Sequence, residues 1–87
     1  MMELKTIYAV KRVDYDRDEC GNMTTKNKLY SVHTKRSDAV KQMRHHARCE
    51  DDYTLDRTVV DGSMISFADK ENRIKKDYMI IEDQIRI

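Results

Sequence analysis

The sequence predicts an α+β domain: an antiparallel sheet of four to five strands with one helix packed on one face, in the order ββαβββ. Three observations carry that prediction. Between Val32 and Asp52, the residues Ala39, Val40, Met43 and Ala47 recur at helical spacing and form one narrow apolar stripe. The other apolar residues fall in short runs rich in Ile, Val, Leu, Met and Tyr, which is how strands read. Turn signals separate those runs at Gly21-Asn22, Asp61-Gly62 and Asp69–Asn72. A helix with so thin a stripe is not stable alone and must lie on a sheet.

Leu4 to Val13, LKTIYAVKRV, is the first strand; its centre, Ile7-Tyr8-Ala9-Val10, is apolar at every position, which predicts cover on both faces. Asp14 to Asn22 reads as a charged connection, and Met23 to His33 as the returning strand of a hairpin, packing through Leu29, Tyr30 and Val32. In the helix, Thr34 is placed to serve as N-cap and Asp38 suits the positive end of the helix dipole. His46 lies beside the apolar stripe, while Lys41, Arg44 and Arg48 fall on the far side, flanked by His45 and Cys49. Glu50-Asp51-Asp52 brings the wrong charge to a helix C-terminus and should fray its last turn. Tyr53 to Val60 alternates Tyr53, Leu55, Arg57 and Val59 on one face of a third strand. Asp61-Gly62 is a two-residue hairpin signal of the kind that needs positive φ. Met64 to Phe67 is a fourth strand, and Arg73 to Ile87 carries a fifth around Tyr78-Met79-Ile80-Ile81. A short helix over Ala68–Lys76 is the alternative for that region, since ADKENRIKK holds good helix formers.

Composition bounds what this fold can do. The 87 residues make one domain, 39% hydrophobic and 38% charged, so its core is small. No run approaches the roughly 20 apolar residues of a membrane span. The opening MMELKTIYAV lacks the basic and apolar regions of a secretion signal, so a cytoplasmic protein is expected. Cys20 and Cys49 are expected to be plain thiols there. Two glycines and no proline leave no Gly-rich phosphate loop. Net charge is +1, yet its layout is uneven: residues 24–48 hold seven basic side chains against Asp38 alone, while the remaining 62 are net acidic. One surface should therefore be positive.

Four chemistries bear on that layout. His45 and Cys49, four apart on one helix face, have ligand spacing, with Cys20 or His33 as further donors. No paired CxxC accompanies them, so a solvated pair is the plainer reading and no metal or cofactor is assigned. Cys49 near His45 and Ser37 near Asp38 are adjacent, but a nucleophile also needs an orienting group, oxyanion donors and a pocket. No enzyme is expected. Lys26, Lys28, Lys35, Arg36, Lys41, Arg44 and Arg48 can neutralise phosphates, and an exposed Tyr30 would stack on a base. A recognition sheet's interleaved aromatics are missing, however, and a wet helix face explains the stripe more simply. Asp14, Asp16, Asp18 and Glu19, with Glu50, Asp51 and Asp52, can mimic phosphates toward a basic partner, although loops are often charged merely because they are wet.

The pattern IYAV, a charged hairpin, then LYSVHTKRSDAVKQM resembles a diffuse group of small phage and prophage accessory proteins. They open with a Y-x-V strand, return on a strand ending near VFSTKEKA, and enter a helix. Tyr8, Val10, Val32, Thr34, Lys35 and Ala39 carry the resemblance, over about half the chain; His33 departs from an aromatic. It implies stoichiometric binding with no catalytic residues: an inhibitor of a host defence complex, of the anti-CRISPR type or similar, acting in the host cytoplasm. The partner would be a host protein or ribonucleoprotein complex. The surfaces expected to meet it are the basic helix face (Lys35, Arg36, Lys41, Arg44, Arg48) and the acidic hairpin tip (Asp14, Asp16, Asp18, Glu19). Direct nucleic-acid binding by the same basic face is the rival, and a homodimer through an exposed strand edge is compatible with either.

Overall fold

The structure, a computed structural model, describes residues 3–86. Strands β1 (Leu4–Arg17) and β2 (Met23–His33) form a hairpin, helix α1 (Arg36–Arg48) follows, and β3 (Asp56–Asp61), β4 (Met64–Ala68) and β5 (Ile74–Arg86) complete the chain. All five strands join one antiparallel sheet in the order β2-β1-β5-β4-β3, so the first and last strands lie side by side at its centre.

The helix buries Ala39, Met43 and Ala47, four residues apart, against Val10, Ile65, Phe67 and Tyr78 of the sheet. Two alanines in that stripe let the helix axis come close, and Met43, 1% exposed, fills the space between them. Burying Met43 contributes on the order of 2 kcal/mol. Tyr8, Tyr30 and Ile80 pack around this cluster.

Pleating sends alternate residues of each strand the other way. Because Tyr8, Val10, Tyr78 and Ile80 face the helix, Ile7, Ala9, Lys11, Met79 and Ile81 face away from it, and no element covers that side. The expectation of cover on both faces of Ile7–Val10 is thus corrected. Its apolar run is half helix contact and half a partly exposed second face. No helix among the described residues is long and apolar enough to cross a membrane.

Several boundaries move for physical reasons. β1 runs on through Asp14–Arg17, expected as loop, because Asp14 is paired in register with Lys26 on one side and Lys76 on the other. The turn shrinks accordingly. Asp18 Oδ1 accepts the N–H groups of Cys20 and Asn22, both at 2.9 Å, and Gly21 takes φ 84°. Val32 and His33 end β2, so α1 starts later than Val32; its N-cap is Lys35, with no side-chain capping bond, and Thr34 does not cap. β3 starts at Asp56 because Asp52 Oδ1 binds the Thr54 N–H at 3.1 Å and hydroxyl at 2.6 Å, turning the chain first. Tyr53 is left 94% exposed while Leu55 enters the core, so the expected alternation from Tyr53 begins too early. The β3–β4 turn centres on Gly62-Ser63, with Asp61 Oδ1 accepting from Ser63 N at 2.6 Å, and Gly62 needs no positive φ. No helix forms over 68–76: Asp69 Oδ1 accepts from Arg73 N at 2.7 Å, Asn72 takes φ 55°, and β5 follows at once. Ile87, the expected last residue of that strand, lies outside the described residues.

Candidate functional site

The basic face is where the sequence placed it. Lys35, Arg36, Lys41, Arg44 and Arg48 are all exposed on or beside α1. Among the described residues none of the five is ion-paired, whereas Arg12, Arg73, Lys75 and Lys76 all are. At about 100° per residue, Lys41 and Arg48 lie nearly opposite Met43, pointing away from the sheet. Arg36 is turned aside instead. Its Nη2 lies 3.4 Å from where a Cβ on Gly62 would stand, so it leans over the β3–β4 turn. There the hydrogen bonds from Ser63 hold the Asp61 carboxyl below its usual value, with Arg36 assisting. The outward row is therefore Lys41, Arg44 and Arg48, with Lys35 at its start; Arg48 Nε also donates to Arg44 O at 3.4 Å.

The acidic tip does not survive as one surface. Asp14 and Asp16 belong to a strand, not a loop, and line a groove of about 280 Å³ beyond the helix end. Lys26, Lys75 and Lys76 line the same groove, so the charges there largely cancel. Asp14 is also held by Arg12, whose Nη2 donates to Oδ2 at 3.0 Å. The Arg12 Nε approaches Oδ1 at 2.8 Å without hydrogen-bond alignment, a purely electrostatic contact. Asp18 spends its carboxylate on its own turn, which leaves Glu19 exposed beside it.

A polar cluster under the C-terminal end of α1 escaped sequence reasoning. Glu50, with a side chain only 4% exposed, turns inward instead of fraying the helix. Its Oε2 accepts the Tyr78 hydroxyl at 2.6 Å, and its Oε1 accepts Lys76 Nζ at 3.0 Å. Burial opposes the charge on Glu50, but the bonds from Tyr78 and Lys76 outweigh it and hold the carboxyl below its usual value. Burial, and then the carboxylate it faces, push the Tyr78 phenol far up, so it stays a donor. Next to it the Tyr30 ring stacks on His46, centroids 3.9 Å apart and planes 14° apart, while Arg12 Nη1 donates to its hydroxyl at 3.0 Å. Burial, followed by the neighbouring His45 and Lys28, lowers the His46 pKa and keeps it neutral near pH 7. Tyr30 is half-buried and engaged, so it is not the free base-stacking residue that nucleic-acid binding would want.

This cluster ties the helix end to the sheet. Each of its members has a partner inside the chain, which leaves no vacant donor set. Cys49 Sγ stands 3.9 Å from His45 Nε2 on the exposed side, and both cysteines are free thiols. Among the described residues no three His, Cys, Asp or Glu side chains are grouped to hold a metal ion. One further buried carboxylate, Asp77, lies on the helix-free side. It accepts Ser66 Oγ at 2.7 Å, with Lys75 Nζ 3.6 Å away.

Comparison with protein-family models, curated proteins and solved structures finds no match to this chain. The phage-type resemblance therefore rests on the residues quoted for it.

Proposed function

We propose that this chain is a small, non-enzymatic binding module whose outward helix row grips an acidic patch on a protein partner. The observation that carries the reading is that row itself: Lys35, Lys41, Arg44 and Arg48 are exposed, and no carboxylate of the described chain lies within ion-pair reach of them. Cations on and beside a helix, free of internal carboxylate partners, speed and orient encounter with a surface of opposite sign. The resemblance adds the class of binder: an inhibitor that blocks a host defence complex by occupying it.

The test is quantitative affinity capture from a bacterial lysate with the wild type and the Lys41→Glu/Arg44→Glu/Arg48→Glu variant. The reading expects a protein captured by the wild type in low salt, resistant to nuclease, and lost from the variant. Equal capture by the two chains overturns it. The same cations also suit the rival, a nucleic-acid ligand, although Tyr30 is committed to His46. Titrating labelled duplex and single-stranded DNA and RNA at two salt concentrations separates the two. Salt-sensitive affinity that an Arg44→Ala/Arg48→Ala variant loses would replace protein by nucleic acid as the ligand.

A further inference from the structure

The helix-free side of the sheet breaks the usual rule for an antiparallel sheet, that the face turned to water is polar. Leu29 and Val32 of β2 stand 62% and 50% exposed on it, and Ile81 of β5 38%. Ala9, Met79 and Met64 continue the apolar surface across β1, β5 and β4. A contiguous apolar patch of this kind marks an interface.

We infer that the occupant is a second copy of this chain, packed sheet to sheet about a two-fold axis, with both helices turned outward. The charge layout of the face singles out a second copy.

An isologous interface must be complementary to itself. In register, Ala9 pairs with Ile81, Lys11 with Met79 and Ile7 with Asp83. Lys11 and Asp83 thus share this face on adjacent strands but stand four residues apart along them, about 13 Å. Neither is ion-paired to the other within the chain. Consider an axis across the strands through the Ala9–Ile81 row. It reverses the strand direction and lays the central parts of β1 and β5 over their own copies, while β3 and β4, which pair on one side of that row, stay outside the contact. Lys11 then meets the second copy's Ile7, one strand, about 4.8 Å, from the second copy's Asp83. Symmetry makes the contact twice, with the apolar row of Val32, Ala9 and Ile81 closing between the two pairs. The modest angle of aligned sheet packing leaves contacts so near the axis in place. Charges taken into an interface must be paired, and this arrangement pairs Lys11 with Asp83.

The inference is independent of the helix-back reading, since the two surfaces lie on opposite sides of the fold. Its test is sedimentation equilibrium over a wide concentration range. The wild type is expected to be a dimer, and Lys11→Glu and Asp83→Lys should each weaken it about a hundredfold, tenfold for each of two like-charge contacts. The double variant Lys11→Glu/Asp83→Lys should restore self-association. An equimolar mixture of the two single variants should form a heterodimer, because each then supplies what the other lacks. Circular dichroism checks that every variant is folded. A wild type that stays monomeric overturns the inference, as does a dimer indifferent to both single charge reversals, which is what a strand-edge dimer through β2 would give. Failure of the double variant or the mixture to associate overturns it as well.

Discussion

Removing the Glu50 side chain should cost this small domain a large part of its stability. In Glu50→Ala the Tyr78 hydroxyl, on a residue 2% exposed, loses its acceptor at 2.6 Å, and Lys76 loses its carboxylate. Lys76 is partly exposed and recovers water, so the main loss is the bond from Tyr78 to a charged acceptor and the stranded hydroxyl. That amounts to about 2–3 kcal/mol. For a chain of this size, about 1 kcal/mol moves the melting temperature by about 4–8 °C, which makes the expected drop roughly 8–24 °C. Tyr78→Phe removes the hydroxyl but leaves Glu50 with Lys76, and should cost less, about 1–1.5 kcal/mol. In the double variant the two losses overlap, so a double-mutant cycle should show coupling of about 1 kcal/mol or more. Urea unfolding followed by circular dichroism at pH 7 measures all three. The sign with pH is set by the lowered carboxyl. The charge on Glu50 stabilises the fold above its unfolded pKa of about 4.5, and that stability is lost as pH falls through the lower folded value. A Glu50→Ala variant within about 0.5 kcal/mol of wild type would refute the reasoning, because it would behave as an ordinary surface substitution.

Met43→Ala should destabilise by about 2–5 kcal/mol, since nothing nearby can refill its place between Ala39 and Ala47, whereas Lys41→Ala should lie within about 0.5 kcal/mol of wild type; urea midpoints compare them. Thr34→Ala should leave the urea midpoint almost unchanged, where loss of a working N-cap would cost about 1 kcal/mol. In an NMR titration His46 should protonate below the ordinary histidine value, because burial and then His45 and Lys28 disfavour its charge. A depressed folded pKa means that the unfolded chain binds the proton more readily, so the His46 contribution is complete above about pH 6.5 and declines as pH falls below it. A His46 pKa above 7 would contradict the stack on Tyr30 as described.

The parts legible in the sequence were those that repeat at short range. Ala39, Met43 and Ala47 announced the helix stripe by their spacing, and the β4 and β5 cores stood out as apolar runs. What escaped notice depends on partners far along the chain. Asp14–Arg17 looks like loop until Lys26 and Lys76 arrive on both sides of it. Glu50 reads as a misplaced acid at a helix end, because Lys76 and Tyr78, its reasons for being there, follow 26 and 28 residues later. Thr34 has the chemistry of a cap, but β2 carries the chain extended as far as His33 and the helix opens at Lys35 without one. The basic row was legible because solvated side chains need no partner to be placed. The acidic tip was not, because the hairpin uses Asp14 and Asp18 for itself. Nor could local pattern show that β5 would insert between β1 and β4 and leave an apolar face behind it.

The sheet-to-sheet inference requires that the helix cover one side of the sheet and that no element cover the other. Adjacent isoleucines test this directly, since Ile80 packs against the helix cluster while Ile81 points the other way, 38% exposed. The comparison is Ile80→Asp against Ile81→Asp in urea, both in a Lys11→Glu background so that subunit association does not enter. The account predicts that the Ile80 variant is the less stable by at least about 2 kcal/mol, the cost of a carboxylate thrust into the core. Equal losses, or a greater loss at Ile81, would contradict it.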